Sequence, residues 1–338
     1  MGATGLPPSV EHDGRPLGRW DAWQRRHPVV ALPLAVVYKF FDDQGAYLAV
    51  LITYYAFVSV VPLLLLATSI LGFLLQGDAE LRAQVLDSAV ASFPVVGDQL
   101  GRPEGLQGSV TAIVVGGLTA LYGSLGLGTA LQNAVNTTWS VPRNSRPNPF
   151  LVRVRSLVLL ATGGLALVAL SVLAALNRVL AARLGGSAAL QWGLTVALVG
   201  VVAGILAVML WVGGGRRQRL RTAVPGAVLT AVLWQVLQVV SASVASEAGS
   251  QASSMNQTFG LVLGLLAVTY VAATSAVLGM ELNVVLRRRL WPRALLTPFT
   301  DAVDLTDADR RAYAAYARAQ RHKGFETVEV SFQEDRED

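Results

Sequence analysis

The chain has 338 residues, of which 53% are hydrophobic and 14% are charged, and its formal net charge is +5. Soluble domains carry about 25% charged residues, so this composition excludes a soluble globular protein and indicates an integral membrane protein. Cysteine is absent, which excludes disulfide bonds, iron–sulfur clusters, cysteine-ligated zinc and thiol nucleophiles.

The first 46 residues are predicted to form a cytoplasmic segment. Residues 1–28 carry charges of both signs and lack the apolar core of a signal peptide. The apolar run at residues 29–37 is too short to cross a membrane and contains Pro33. It therefore predicts an interfacial or cytoplasmic helix that leads to the first span.

Six longer apolar segments follow. A hydrocarbon core about 30 Å thick needs about 20 apolar helical residues, and all six segments reach that length. They are residues 47–75, 109–131, 156–176, 190–212, 222–245 and 258–286. Lipid cannot satisfy an open backbone, so each span is predicted to be a helix. The predicted fold class is all-α, a polytopic membrane protein whose six-helix transmembrane domain occupies residues 47–290.

The basic residues of the connecting segments predict the orientation. Lys and Arg together number 5 in the N-terminal segment, 2, 4, 2, 4 and 0 in the five loops, and 10 after the last span. Loops rich in Lys and Arg stay in the cytoplasm, so this alternation predicts that both termini are cytoplasmic. The positive net charge is interpreted as a signal for orientation, and no nucleic-acid partner is expected.

Residues 291–338 have the composition of a soluble cytoplasmic tail. The part after about Thr297 is expected to be dispensable for membrane insertion. Thr306 and Asp309 resemble a capping box with Asp in the position of Glu, which predicts a helix over about residues 307–323.

A glycine-rich stretch in the second predicted span superficially resembles a nucleotide-binding loop. Gly123, Gly126 and Gly128 have no preceding strand and no accompanying Lys, so we interpret them as small residues that let helices approach closely. Two GxxxG pairs are interpreted in the same way, and they are Gly200/Gly204 and Gly260/Gly264.

Glu281 is the one formally charged residue inside the predicted spans. An ionised carboxylate at mid-helix costs about 2.5–3.5 kcal/mol on insertion scales, so Glu281 is expected to face the bundle interior and pair with a basic residue. Arg155 and Arg221, at the starts of the third and fifth spans, have the same predicted depth and are the expected partners. A fixed structural ion pair, a substrate or proton site, and simple solvation of the carboxylate all stay open.

Polar side chains from four predicted spans concentrate in the cytoplasmic half of the membrane. They form a candidate intramembrane site, and they are Tyr54, Tyr55, Ser59, Asn133, Asn136, Gln235, Glu281 and Asn283. Buried polar groups need partners, so these residues either bond to one another as packing contacts or line a water-filled cavity. Pro62 removes a backbone hydrogen bond from the first span, which predicts a kink and makes it the candidate hinge.

Four stretches of the chain carry recognisable motifs, and they are Thr53–Leu66, Leu131–Trp139, Pro225–Ala227 with Trp234, and Leu278–Asn283. In order and spacing, over about residues 25–293, they resemble the signatures of the YihY/BrkB family. The sequence departs from the family at Phe259, where a Tyr is usual, and at Met280, where an Ala is usual. The resemblance implies a six-span protein of the bacterial inner membrane. Some members of that family carry the label ribonuclease BN, and one is linked to serum resistance.

The leading functional hypothesis is a transporter or flippase-like protein for a lipidic or amphiphilic substrate, based on the polar residues, Pro62 and Glu281. The alternative is a non-transporting envelope or scaffold protein whose basic cytoplasmic rim docks partners or anionic lipid. Ribonuclease chemistry needs clustered His and carboxylate ligands for a metal, whereas His12, His27 and His322 are isolated. The sequence therefore predicts no enzyme activity, no metal and no cofactor. The lipid bilayer is the expected partner.

Overall fold

The computed structural model describes residues 18–74, 110–162, 188–214, 219–248, 254–297, 299 and 303–332. Within these ranges the regular structure is helical and contains no strand. The helices are α1 (Arg19–Arg26), α2 (Pro28–Asp42), α3 (Gly45–Leu74), α4 (Val110–Thr138), α5 (residues 149–162), α6 (Ala188–Gly214), α7 (Leu220–Ala248), α8 (Ser254–Arg288) and α9 (Asp307–Ala319), with a 3-10 turn at Arg143–Ser145. The all-α prediction is confirmed for this part of the chain.

Five of the predicted spans coincide with α3, α4, α6, α7 and α8. The third predicted span begins inside α5, and its residues 163–176 lie outside the described residues. Within the described ranges, three helical segments are long and apolar enough to cross a membrane: Thr195–Gly214, Leu220–Ser241 and Val262–Arg288. The count of six spans and the orientation of the termini stay predictions.

The surface of these three segments indicates what surrounds them. Only 17%, 28% and 22% of their most apolar windows, respectively, is buried inside the protein. Folded soluble proteins rarely expose apolar surface of that extent to water. The outward faces therefore need lipid as their solvent, as expected for a protein embedded in a membrane.

Helix α8 is the centre of the described bundle, because it packs against α2, α3, α4 and α7. Its contacts with α3 and α4 form a core of small and medium side chains, which are Leu48, Ala49, Ile52, Ala130, Ala134, Val135, Ala273, Val277 and Met280. Alanine at so many contact positions lets the helix backbones approach closely, which is the usual basis of helix packing in lipid.

Glycine allows close contact in two further helix pairs, α3 with α4 and α4 with α5. A Cβ atom on Gly123 would lie 3.0 Å from the backbone of Ser59 in α3, and one on Gly128 would overlap Ser156 in α5. The interpretation of this stretch as a close helix contact is confirmed. The two GxxxG pairs differ, because no described atom lies within 4 Å of a Cβ built on any of their four glycines. Among the described residues, those pairs are therefore not packing contacts.

One end of the bundle carries both terminal parts of the described chain. We call this region the terminal cap, and it comprises α1, α2, residues 289–297 and α9. Side chains from α2, α8 and α9 share a core there, formed by Ala35, Val36, Val284, Val285, Leu290 and Ala312. Gln24 Nε2 also donates to the carbonyl oxygen of Arg293 at 2.6 Å. The residues after the last span thus pack against the bundle as far as α9.

Helix α9 begins where the sequence predicts. Thr306 accepts from the backbone N–H of Asp309, and the Asp309 side chain accepts from the backbone N–H of Thr306. This is the reciprocal capping box, so that prediction is confirmed. The helix ends at Ala319, four residues before the predicted limit.

Candidate functional site

Three ionisable side chains meet inside the protein where α2 packs against α8, and we call them the Lys39 cluster: Lys39, Asp43 and Glu281. Lys39 Nζ lies 2.5 Å from Asp43 Oδ2 and 3.3 Å from Glu281 Oε2. The three side chains are 1%, 3% and 0% exposed, respectively. Charged groups this deeply buried are rare unless they are paired, because losing water costs them several kcal/mol each.

Local structure explains how Lys39 reaches this position. Helix α2 buries the face that carries Ala31, Ala35 and Lys39, three residues at helical spacing. The chain then turns at residues 43–44, where Gln44 adopts a φ of 56°, in the left-handed region. Asp43 lies in that turn, four residues after Lys39, which is the spacing at which helical side chains meet.

The expected partners of Glu281 are corrected by this arrangement. Arg155 is only partly buried, Arg221 is exposed, and the cation that lies against Glu281 is Lys39. Predicted depth selects basic residues at the ends of predicted spans, and it places residues 29–37 in a peripheral helix. In the structure α2 lies along α8, and this brings in a cation from outside the predicted spans.

A second buried ionic cluster lies beside the first, and we call it the Arg293 cluster: Arg293, Asp42 and Asp309. Arg293 Nη2 donates to Asp42 Oδ2 at 2.9 Å, and Arg293 Nε donates to Asp309 Oδ1. Burial lowers the pKa of Arg293, but the carboxylates of Asp309 and Asp42 together raise it above its ordinary value. This cluster therefore joins the end of α2, the segment after α8 and the start of α9 through a permanent cation.

Tyr316 of α9 connects the two clusters. Its hydroxyl donates to Asp42 Oδ2 at 3.3 Å, and its ring lies under Lys39 Nζ, 5.2 Å from the ring centre. Burial, followed by the nearby carboxylates of Asp43 and Asp42, raises the pKa of Tyr316 above its ordinary value. The hydroxyl therefore stays protonated and remains a hydrogen-bond donor, while the ring face attracts the ammonium group.

Within the Lys39 cluster, one carboxylate is hydrogen-bonded and the other is not. Lys39 donates to Asp43, whereas neither carboxylate oxygen of Glu281 accepts a hydrogen bond from any described residue. Lys39 lies within ion-pair distance of Glu281, but without hydrogen-bond geometry. Glu281 is therefore the least compensated charged group of the site.

Other residues of the predicted site connect helices to one another. Asn283 Oδ1 accepts from the backbone N–H of Gly226 at 2.7 Å, which fastens α8 to the start of α7. Asn133 Oδ1 accepts from Arg146 Nη1 at 3.0 Å, within the connection that follows α4. These contacts match the packing alternative that the sequence left open. They also leave these two amides already bonded.

The remaining predicted residues lie apart from Glu281. Tyr54 is 58% exposed on the outer surface of α3, and the ring of Tyr55 packs against the core and Gly126. Ser59 donates to the carbonyl oxygen of Ala56 in its own helix, and Asn136 is partly buried. Pro62 lies inside the unbroken helix α3, and its side chain is outside the part that the structure describes.

Gln235 lines a groove between α6 and α7. The groove has a volume of about 520 Å³, and its described walls are formed by Trp192, Thr195, Gln235, Val236, Val239 and Val240. Gln235 follows Gly226 by nine residues, which is about 13 Å along α7 at a rise of about 1.5 Å per residue. Because Gly226 is at the level of Asn283, the groove lies well away from Glu281. The structure thus does not gather the predicted residues around one cavity.

Lys39 and the residues of the Arg293 cluster were missing from the candidates derived from the sequence. A usable signal for Lys39 was present, because it occupies the helix face that otherwise carries Ala31 and Ala35. A lysine on a buried stripe, with an acid four residues later, indicates an internal ion pair. No comparable signal marks Arg293, which lies in irregular structure after α8.

Comparison with known proteins agrees with the resemblance noted from the motifs. The family model described as Virulence factor BrkB matches residues 36–298. No curated protein and no solved structure matches the chain. The matched segment contains the whole Lys39 cluster together with Asp42 and Arg293, and it ends before α9. Because the match covers most of the chain, this protein belongs to the BrkB virulence factor family.

Proposed function

We propose that this protein is a transporter or flippase-like protein for a lipidic or amphiphilic substrate. It would have six spans and both termini in the cytoplasm of a bacterial cell, in agreement with the alternating Lys and Arg counts. The observation that carries the proposal is the Lys39 cluster, whose three side chains are at most 3% exposed. Ionisable residues on membrane helices are expensive and typically mark substrate or ion pathways.

The arrangement of closed and open regions supports the same function. At the terminal cap, two ionic clusters and an apolar core seal the end of α8. About 13 Å further along α7, an open groove lies at Gln235. A bundle that is closed by ion pairs at one end and carries an open groove near the middle of α7 fits a transporter in one of its alternating states.

The chemistry of the groove indicates the class of substrate. Trp192, Val236 and Val239 provide an apolar wall, and Gln235 adds an amide that can both donate and accept hydrogen bonds. A molecule with an acyl chain and a polar group matches that combination. We expect such a substrate to enter the groove from the membrane.

One observation favours the alternative, a non-transporting scaffold. Asn133 and Asn283 already have partners in the described structure, and Gln132 donates to Ser156 Oγ at 3.0 Å. Amide groups that are bonded in this way connect helices to one another and need not line a cavity. A scaffold would need this packing, but it would not need the buried charges of the Lys39 cluster.

The test is lipid translocation by the purified protein in vesicles. Vesicles carrying a fluorescent phospholipid would be treated with dithionite, which bleaches only the outer leaflet. We expect faster loss of protected fluorescence than in protein-free vesicles, and a reduced rate for Gln235→Trp, which fills the groove. Gln238→Trp is the matched control, because Gln238 is exposed on α7 and does not line the groove. Equal rates for wild-type and protein-free vesicles would favour the scaffold.

A further inference from the structure

The charges of the Lys39 cluster do not balance. If all three groups are ionised, one ammonium faces two carboxylates, and the cluster carries one excess negative charge at 0–3% exposure. An uncompensated carboxylate in such surroundings costs several kcal/mol. Binding one proton would remove that excess and leave a single ion pair with Lys39.

Among the described residues, no cation other than Lys39 lies within ion-pair distance of Glu281. Helices α3 and α4 contain no Asp, Glu, Lys, Arg or His, and Arg221 at the start of α7 is exposed. Arg293 already has Asp42 and Asp309 as partners, so the Arg293 cluster also has more carboxylates than cations. Tyr316 contributes only a neutral hydroxyl, and that hydroxyl donates to Asp42. The charged groups that face the cluster therefore leave Glu281 with Lys39 alone, and Lys39 is shared.

We propose that the Lys39 cluster is a proton-binding site in which Asp43 and Glu281 share one proton, and that its release loosens α2 from α8. The bound proton comes from water at the terminal cap and is added to a carboxylate oxygen, forming one O–H bond. On release that bond breaks, and the proton returns to water. No other covalent change and no co-reactant are involved.

Two properties of the site support this assignment. Both oxygens of Glu281 are buried and make no hydrogen bond to a described residue, so they offer places for a shared proton. Burial also raises the pKa of Asp43 above its ordinary value of 3.8, despite the opposing attraction of Lys39. The surroundings of Asp43 thus favour its protonated form, and the unbonded oxygens of Glu281 provide a second place for the shared proton.

The inference rests on the proposed function and adds to it. If the protein transports a lipidic substrate, the coupling ion would be a proton bound by the Lys39 cluster. The moving element would be α2, because it carries Lys39 and spans no membrane core of its own. Cycles of proton binding and release would then close and open the terminal cap.

The bound proton can be observed directly by infrared difference spectroscopy of the purified full-length protein. We expect the carbonyl band of a protonated carboxyl group at neutral pH, and its loss in both Glu281→Gln and Asp43→Asn, because each leaves one carboxylate for Lys39. Asp307→Asn removes an exposed carboxylate of α9 and should leave the band unchanged. Absence of the band in the wild-type protein, or its survival in both cluster variants, would overturn the proposal.

The predicted movement of α2 has its own measurement. Because the chain lacks cysteine, Val37→Cys on α2 and Arg287→Cys on α8 can be spin-labelled together without background, and both positions are exposed. We expect the distance distribution to broaden as pH rises, and to lose this pH dependence when Glu281→Gln is added. A distribution that does not change with pH would overturn the coupling of the proton to α2.

Failure of this proposal is distinguishable from failure of the proposed function. A carboxyl band and a pH-dependent distance without lipid translocation would retain the proton site and exclude flipping of the lipid used. Translocation by a protein that shows no carboxyl band would retain transport and refute the proton site.

Discussion

The crossing of α7 and α8 provides a sharp test of the packing described above. At this point Gly226 and Gly279 bring the two backbones together, and a Cβ atom on Gly226 would overlap the carbonyl oxygen of Gly279. The same Cβ would overlap the Asn283 side chain, whose Oδ1 accepts a hydrogen bond from the Gly226 N–H at an N···O distance of 2.7 Å. Since a backbone carbonyl cannot rotate away, Gly226→Ala should push the two helices apart.

The expected size of this effect follows from three contributions. Alanine in place of glycine stabilises a helix interior by about 1 kcal/mol. Overpacking a tight contact costs about 1–3 kcal/mol, and loss of the hydrogen bond to Asn283 costs about 1 kcal/mol more. We therefore expect Gly226→Ala to lower the free energy of unfolding by about 1–3 kcal/mol in total.

The assay is thermal unfolding in detergent, followed by the loss of the monodisperse chromatographic peak. Gly213→Ala is the matched control, because Gly213 is also a buried helical glycine and its Cβ would lie 3.9 Å from Val135 Cγ2, an ordinary contact. We expect the control to equal or exceed the wild-type Tm. A Gly226→Ala protein as stable as this control would refute the close crossing.

Three further predictions concern the terminal cap. Arg293→Met leaves Asp42 and Asp309 buried without their cation, so it should destabilise the cap by about 3–5 kcal/mol, seen as protease cleavage before α9. Thr306→Ala removes the capping box and should cost about 1 kcal/mol in the same proteolysis assay. Because burial raises the pKa of Asp43, its contribution to stability is greatest below its ordinary value of 3.8 and is lost as pH rises through the folded-state pKa. The Tm of Asp43→Asn should therefore vary less with pH than that of the wild-type protein.

The helices themselves were predictable because apolar length and end signals are local properties of a sequence. Helix α8, at Ser254–Arg288, contains the whole predicted sixth span, and Thr306 begins α9 as its capping pattern indicates. Helix α2 was predicted as a short helix at residues 29–37, but it extends to Asp42. That extension carries Lys39 onto the buried face, so an error of a few residues at the helix end hid the central cation of the site.

The partner of Glu281 was not predictable from depth alone. Depth restricts a partner to one level of the membrane, but several helix ends reach that level, and only the packing order selects among them. Arg155 satisfied the depth criterion as well as Lys39 does, and it is not the cation placed against Glu281. The packing of α2 against α8 depends on contacts between residues far apart in the chain, such as Ala35 with Val284 and Val285. No local pattern contains that information.

The turn after α2 links the two ionic clusters through adjacent carboxylates. Asp43 faces Lys39, while Asp42 accepts hydrogen bonds from Arg293 and Tyr316. A movement of α2 that separates Lys39 from Glu281 would also shift this turn, and it would then disturb the two contacts that Asp42 makes with the segment after α8 and with α9. If the proton bound by the Lys39 cluster moves α2, as proposed above, the position of α9 should therefore change with it. A mechanism that operates through Glu281 would consequently change contacts in both terminal parts of the described chain, even though neither part lies in a predicted span.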